Sequence, residues 1–324
     1  MMSARMLVTG AKGWIGRHVA FEAGKAGHSV TALDMPPAAA GAWADYRVAD
    51  IQNDSVLALA GDVAVRGARA IIHCAGYAHR PRETPEEVAR FDAINRQGTA
   101  RVLELARRAG IPRVVYLSSI AFYDWSSGAE MGEEDALATP TAYAKSKLDG
   151  EMLCRESGLD WRVARLGTVF GAGDRANFSK LAGAMAKRRF VVPGAGTARK
   201  SVLPVTLAAE LLVDLALRDD VPERLVNLAL PEAPTLGEIC GAFSQACGFP
   251  AAPRVPLPIL RAAAFAGDMI DRVKPGFPLT SVNVRKLTQS TVVKTERMQR
   301  VWPNRQWPTF AEALAPAAEY YRSL

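Results

Sequence analysis

Tyr143 and Lys147, in the run Tyr143-Ala144-Lys145-Ser146-Lys147, are the side chains whose types and spacing point most directly to chemistry. Thr139-Pro140, just upstream, reads as a cap followed by proline at the first helical position, so a helix should carry the run. At i and i+4 on that helix, Tyr143 and Lys147 share a face while Lys145 points elsewhere. A phenol titrating near 10 is a poor base at neutral pH, and bringing it to about 7 takes ~4 kcal/mol of preferential phenolate stabilisation. An exposed ammonium at contact supplies only ~1 kcal/mol in water. The pair therefore needs a shielded cleft and a second positive charge. Ser119, after the strand pattern at 114–118, offers a hydroxyl to a substrate oxygen. By itself the Tyr/Lys spacing also describes an ordinary surface helix, so a source of the second charge has to be found elsewhere in the chain.

That source is suggested near the N-terminus. Thr9-Gly10-Ala11-Lys12-Gly13-Trp14-Ile15-Gly16 follows a strand pattern, and 17–24 reads as helix. Gly10 permits a tight turn, Gly13 lets backbone approach a pyrophosphate, and Gly16 lets helix and strand pack closely. The anion would sit on the N–H groups at the positive end of the helix, where Trp14 and Ile15 lie. Asp34 ends the second strand pattern 18 residues past Gly16, where a carboxylate accepts from adenosine ribose hydroxyls and repels a 2′-phosphate. NAD is thereby favoured over NADP, and its oxidised ring carries the missing positive charge. Asp34 also fits a simple role at the head of the Asp34-Met35-Pro36-Pro37 turn. Asp50 and Ile51 suit a carboxylate and an apolar wall for the adenine, or a helix cap.

The elements that must position these groups alternate in kind. Short strand patterns at 6–9, 29–33, 70–73, 114–117 and 161–164 are separated by helical ones, the longest at 86–109. Such alternation predicts an α/β fold with a doubly wound parallel sheet covered on both faces. After Phe170 prolines become frequent and the alternation is lost, with helical pieces remaining at 206–217, 236–247 and 310–321. The expected division is a dinucleotide-binding domain over 1–170 and a smaller, irregular α/β substrate lobe over 171–324, partly interleaved with the first.

Composition sets outer bounds. With 324 residues and 49% hydrophobic content the chain is far from disordered, and a chain of this length buries roughly 75% of its unfolded surface. Forty Lys and Arg against 33 Asp and Glu give a charge of +7, dispersed rather than in runs, which suits an anionic small molecule better than nucleic acid. Cys74, Cys154, Cys240 and Cys247 show neither CxxC pairing nor zinc spacing, so reduced thiols and no metal are expected. No leader pattern opens the chain, and the apolar stretch at 259–273 is broken by Arg261 and Asp268. A cytoplasmic protein with no membrane segment is the expectation.

Several ordered motifs together resemble the extended branch of the short-chain dehydrogenase/reductase family, in particular its NAD-dependent nucleotide-sugar epimerases and dehydratases. They are TGAKGWIG at 9–16, HCAG at 73–76, NRQGT at 95–99, YLSSIAFY at 116–123, YAKSK at 143–147, RLGTVFGAGDRANF at 165–178 and ARKSV at 198–202. The resemblance implies a Rossmann-like domain holding NAD and a lobe holding a nucleoside diphosphate sugar, most simply UDP-linked. Tyr143 would be the acid/base, Lys147 its partner and the anchor of the nicotinamide ribose, and Ser119, four residues before Tyr123, the other hydroxyl. Cys74, Ala75, Gly76 and Asn95 would lie against the cofactor, Asn177 on the sugar nucleotide, and Arg199 or Lys200 on its diphosphate. His73 would be packing; His79 and Arg82 sit on a loop that either reaches the sugar or is solvated. A homodimer through helices at 86–109 and 143–156 is also implied.

Departures narrow the reading. Family dehydratases carry an Asp-Glu pair directly after the serine or threonine, where this chain has Ile120 and Ala121. Water elimination thus lacks its acid and base. Pro204 and Thr206 replace a His or Tyr and an Asp that relatives show after the diphosphate arginine. A nucleotide-sugar 4-epimerase is the leading expectation, with a 4-ketosugar reductase or dehydrogenase as the close alternative. A steroid-type dehydrogenase and a non-catalytic dinucleotide sensor remain as distant rivals.

Overall fold

The structure is a computed structural model that describes residues 3–78, 83–274 and 276–324. Aliphatic runs bounded by turn residues form the strands β1 (Arg5–Thr9), β2 (Ser29–Asp34), β3 (Asp45–Val48), β4 (Ala70–His73), β5 (Arg113–Ser119), β6 (Asp160–Leu166), β7 (Thr168–Phe170), β8 (Val192–Pro193), β9 (Val202–Pro204) and β10 (Leu225–Leu228). Among the described residues seven of them make one sheet in the order β10-β6-β5-β4-β1-β2-β3. Every pairing in it is parallel. This is the doubly wound arrangement expected from the alternating pattern, and the strand order reverses between β1 and β4, where such sheets open a ligand crevice.

Helices α1 (Trp14–Lys25), α2 (Val63–Arg66), α3 (Pro85–Phe91), α4 (Thr99–Ala109), α5 (Ala142–Arg155), α6 (Asn177–Ala186), α7 (Val205–Leu217), α8 (Leu236–Cys247), α9 (Leu257–Val273) and α10 (Ser281–Thr288) complete the layers. One core, built on Met6, Val8, Ile72 and Val115, joins α1 and α7 and runs on to Phe243 and Tyr321. The opposite core, built on Leu7, Ile71, Val114 and Tyr116, takes Val102 and Leu105 of α4 and Cys154 of α5. Helix α7 and strand β10, from beyond residue 170, cover and extend the sheet.

The pattern at 86–109 is not one regular helix. Between α3 and α4 the backbone widens over Asp92–Gly98 into π-type turns, which insert extra chain where a groove is needed. Ile51 occupies the space beside Gly98, with Cδ1 2.8 Å from where a Cβ would stand. The C-terminal pattern at 310–321 likewise breaks, at Ala315–Ala317, because Pro316 cannot continue the ladder.

Strand register brings Leu33, Thr9, His73 and Tyr116 into one row across the sheet. Asp34, Gly10 and Cys74 therefore emerge together beyond that row, and Ser119 stands two residues further along β5. His73 pins it: its Nδ1 lies 2.6 Å from the Thr9 hydroxyl and its Nε2 3.0 Å from the Thr99 hydroxyl. Burial, and then the positive Lys147, push this imidazole down to about 3. Between pH 3 and 6.5 the unfolded chain thus holds a proton on this histidine that the folded chain refuses, so folding weakens as pH falls through that window. His73→Gln should shallow the acid limb of unfolding free energy against pH by about one proton, measurable by urea titration across the window; an unchanged slope would assign the acid sensitivity elsewhere.

Candidate functional site

Beyond the carboxyl ends of β1, β2 and β4 lies a cleft of about 340 Å³. Of the residues singled out for a dinucleotide, Gly10, Gly13, Asp34, Asp50, Ile51, Cys74, Ala75 and Gly76 line it. Lys12, Leu33, Met35, Gln52, Tyr77 and Ile94 line it too, and sequence reasoning did not single them out; Tyr77 merely continues the HCAG run, which was the available signal. Gly10 sits at φ +66 with Ala75 backbone 2.6 Å from where its Cβ would be, and at Gly16 a Cβ would stand 2.3 Å from the Gly10 carbonyl oxygen. Side chains at either place would fill the cradle, so the glycines fit a backbone-lined pyrophosphate seat. The helix begins at Trp14 rather than Arg17, which places the Trp14 and Ile15 N–H groups in its first turn. The Trp14 indole itself points away, donating to the Ala172 carbonyl at 2.7 Å.

Asp34 has a double duty. Its Oδ2 accepts from the Lys12 N–H at 2.7 Å and its Oδ1 from the Met35 N–H at 2.8 Å, so the carboxylate both closes the turn and faces the glycine loop. Asp50 Oδ1 accepts from the Gln52 N–H at 2.9 Å, while Asn53, not Asp50, caps the helical turn that follows.

Tyr143 and Lys147 lie on α5, whose N-cap is Thr141, not Thr139: its hydroxyl accepts from the Ala144 N–H at 3.1 Å. Proline before the cap marks the approach but does not enter the helix. Glu83 adds a second cap, accepting from the N–H groups of Ala142 at 2.7 Å and Tyr143 at 3.1 Å; nothing in sequence spacing links residue 83 to 142. Ser119 lies beside the Tyr143 phenol, whose ionised form it favours, and its Oγ accepts from the Ala121 N–H at 3.1 Å. Ser118 is excluded from the site, donating instead to buried Glu151 at 2.7 Å. Phe91 packs edge-on against the Tyr143 ring at 5.7 Å.

Burial pushes the Tyr143 phenol above its ordinary 10, with Ser119 working the other way. Burial also brings Lys147 down to about 8, against the pull of Glu151 one turn on. Its Nζ lies 4.3 Å from the centre of the Tyr116 ring and 4.0 Å from where a Cβ on Gly76 would stand, so the ammonium reaches the wall of the cleft. Asn95 is buried and brackets Tyr77, accepting from its N–H at 2.7 Å and donating to its carbonyl at 3.1 Å, with a further bond to Ser146 at 2.9 Å. The amide therefore fixes the Gly76-Tyr77 wall against α5 instead of presenting itself to a ligand.

The residues expected at the sugar nucleotide lie beyond residue 170. Asn177 opens α6, exposed, just past a turn organised by Asp174. Arg199 is exposed and paired with Glu130 at 2.7 Å. Lys200 corrects the expectation: its ammonium donates to the carbonyls of Lys286 and Gln289 at the end of α10, and burial lowers it to about 8. It is a helix cap, not a free cation for a diphosphate. His79 and Arg82 lie outside the described residues. Among the described residues no cluster of His, Cys, Asp or Glu could hold a metal ion, and the four cysteines are unpaired.

Asp34 and the first-loop glycines Gly10 and Gly13 line one crevice, whose wall Lys147 reaches, and a sequence profile of the NAD dependent epimerase/dehydratase family matches residues 6–229. The chain belongs to that family. It is an NAD-dependent enzyme. It is similar to dTDP-4-dehydro-6-deoxy-D-allose reductase of Streptomyces sp, 28% identical over 272 residues that cover 76% of this chain and 82% of the relative. It is also similar to UDP-glucose 4-epimerase 2 of Arabidopsis thaliana, 26% identical over 191 residues, about half of each protein (51%). In fold it matches MoeE5 in complex with UDP-glucose and NAD, with TM-score 0.73 and 22% identity over 99% of both chains.

Asp34→Ala should relax discrimination against NADP while leaving the fold intact, read as the ratio of NAD to NADP dissociation constants. An unchanged ratio would mean that another group reads the ribose.

Proposed function

We propose that the protein is an NAD-dependent nucleotide-sugar 4-epimerase acting on a UDP-linked sugar. The carrying observation is that Ser119 lies beside the Tyr143 phenol and favours its ionised form, with Lys147 one turn further along α5 reaching the wall of the cleft. That arrangement moves one proton at one hydroxyl. In the proposed reaction Tyr143 takes the C4 hydroxyl proton, Ser119 holds the C4 oxygen, and Lys147 stabilises the phenolate and holds the nicotinamide ribose. NAD supplies hydride removal and return at C4. After the ketosugar turns over in the lobe, the same phenol returns the proton, so no net oxidation results.

Ile120 is buried and Ala121 is tied back to Ser119, so the two positions after the serine supply no acid/base pair, which disfavours dehydration. A 4-ketosugar reductase is the second reading, favoured by the similarity to the Streptomyces reductase. Both readings use the same side chains and differ in whether NAD(H) exchanges each cycle. We also propose that residues 1–170 chiefly hold NAD and 171–324 the nucleotide sugar, with Asn177 and Arg199 on that side. Helices α4 and α5, which lie side by side on one face of the sheet, are proposed as the homodimer surface.

Tyr143→Phe should retain dinucleotide and sugar-nucleotide binding while cutting turnover at least ~10²-fold, the low end for losing a general acid/base; near-normal turnover would remove Tyr143 from the reaction. Incubating the purified protein with a panel of UDP-sugars and no added cofactor separates the readings. Interconversion at C4 supports the epimerase. Activity only with stoichiometric NADH and a 4-keto compound supports the reductase.

A further inference from the structure

Helix α9 presents an apolar face that the rest of the described chain does not cover. Leu260, Ala264 and Gly267 form its buried side, and a Cβ at Gly267 would collide with the Leu279 carbonyl that leads into α10. On the other side Ile259 is 61% exposed, Phe265 69%, Met269 51% and Val273 88%. With exposed Ala262, Ala263, Ala266 and Ile270 they fill an uninterrupted arc of about 160° at 100° per residue.

The exposed charges flanking that arc are mostly cationic. Arg261 and Arg272 follow one edge, and Arg272 Nη1 lies 3.5 Å from the Met269 Sδ at the border of the face. Lys274 follows the last turn, and Arg285 and Lys286 are exposed on the adjoining α10. The two carboxylates of α9 are held on its buried side: Asp268 accepts from the Ser281 N–H at 2.9 Å, and Asp271 from the N–H groups of Gly276 at 2.6 Å and Phe277 at 2.9 Å. Asp268 also feels Arg272, and residues 257–288 keep five exposed cations against these two carboxylates.

We propose that α9 docks the protein onto an anionic lipid bilayer, lying flat in the headgroup region with Phe265, Met269 and Ile270 inserted. A helix with a wide apolar face, basic edges and low overall hydropathy is the form that binds in the interface plane, its apolar side sinking about 5–10 Å. Arg261, Arg272 and Lys274 keep their charged heads among the phosphates while their stems cover apolar surface. Among the described residues no helix is long and apolar enough to cross a membrane, so contact of this kind is on the surface and not through it. Charge complementarity selects this occupant over a second copy. An antiparallel two-fold copy packed face to face would set Arg261 and Arg272 of one chain along the same edge as those of the other. The proposal is independent of which reaction the site catalyses.

The test is co-sedimentation of the full chain with vesicles of phosphatidylcholine alone and of phosphatidylcholine with phosphatidylglycerol, with light scattering for oligomeric state. Partition onto the anionic vesicles should be about tenfold tighter or more than onto neutral ones, since each rim cation contributes near the surface, and should weaken as salt is raised. Phe265→Asp with Met269→Asp should abolish it at an unchanged unfolding midpoint, and Arg261→Gln with Arg272→Gln should weaken it selectively for the anionic lipid. Absence of sedimentation with either vesicle, equal partition to both, or a dimer that Phe265→Asp splits into folded monomers would overturn the proposal.

Discussion

Everything at this site depends on how closely α5 is pressed into the sheet. Tyr143, Lys147 and Glu151 share one face of the helix, and the last two are buried. Taking such groups out of water is costly, and the cost is offset only by fixed partners. Glu151 and Arg165 form a buried ion pair at 2.6 Å, and the carboxylate also accepts from Arg165 Nε at 3.1 Å and from Ser118. Arg165 continues to the Tyr123 hydroxyl at 2.7 Å and the Glu133 carbonyl at 2.8 Å, and Tyr123 donates to Asn227 at 2.8 Å. Removing one partner from a buried pair of this kind costs about 3–5 kcal/mol. The far end of α5 is thus locked to β6 and β10, and Glu83 and Thr141 hold the near end.

Close approach also needs missing atoms. A Cβ at Gly150 would stand 2.3 Å from the Tyr116 hydroxyl and 2.8 Å from the Asn95 carbonyl. With glycine there, α5 settles against β5 and the widened turn between α3 and α4, and Lys147 comes to lie over Tyr116 beside Gly76. Low-dielectric surroundings make each charge count for more, which is why burial raises the phenol and lowers the ammonium before any ligand arrives. The site therefore favours a ligand that brings positive charge to the phenol.

Much of this was legible in the chain because it rests on local rules. Short aliphatic runs between helical patterns mark the strands, a glycine loop follows the first of them, and a four-residue spacing brings Tyr143 and Lys147 to one helix face. What escaped depends on contacts distant in sequence. Glu83 meets residue 142 only after folding, and the widening at Asp92–Gly98 answers to Ile51 and to the Tyr77 wall that Asn95 must hold. Lys200 next to Arg199 looks like half of a cationic pair in sequence, yet in the fold its ammonium serves α10. Thr139 and Thr141 flank one proline, and only the hydrogen bond to Ala144 tells which of them is the cap.

The central claim is that burial alone leaves Tyr143 a poor base and that a cation bound in the cleft, with Lys147, makes it a good one. The direct measurement is the phenolate absorbance of the intact protein against pH, with Tyr143→Phe subtracted, in the absence and presence of saturating NAD. The account predicts a midpoint above 10 without NAD and near neutrality with it, the shift being lost in Lys147→Met. A Tyr143 midpoint that stays above 10 with NAD bound, or a shift that survives the loss of Lys147, would contradict it.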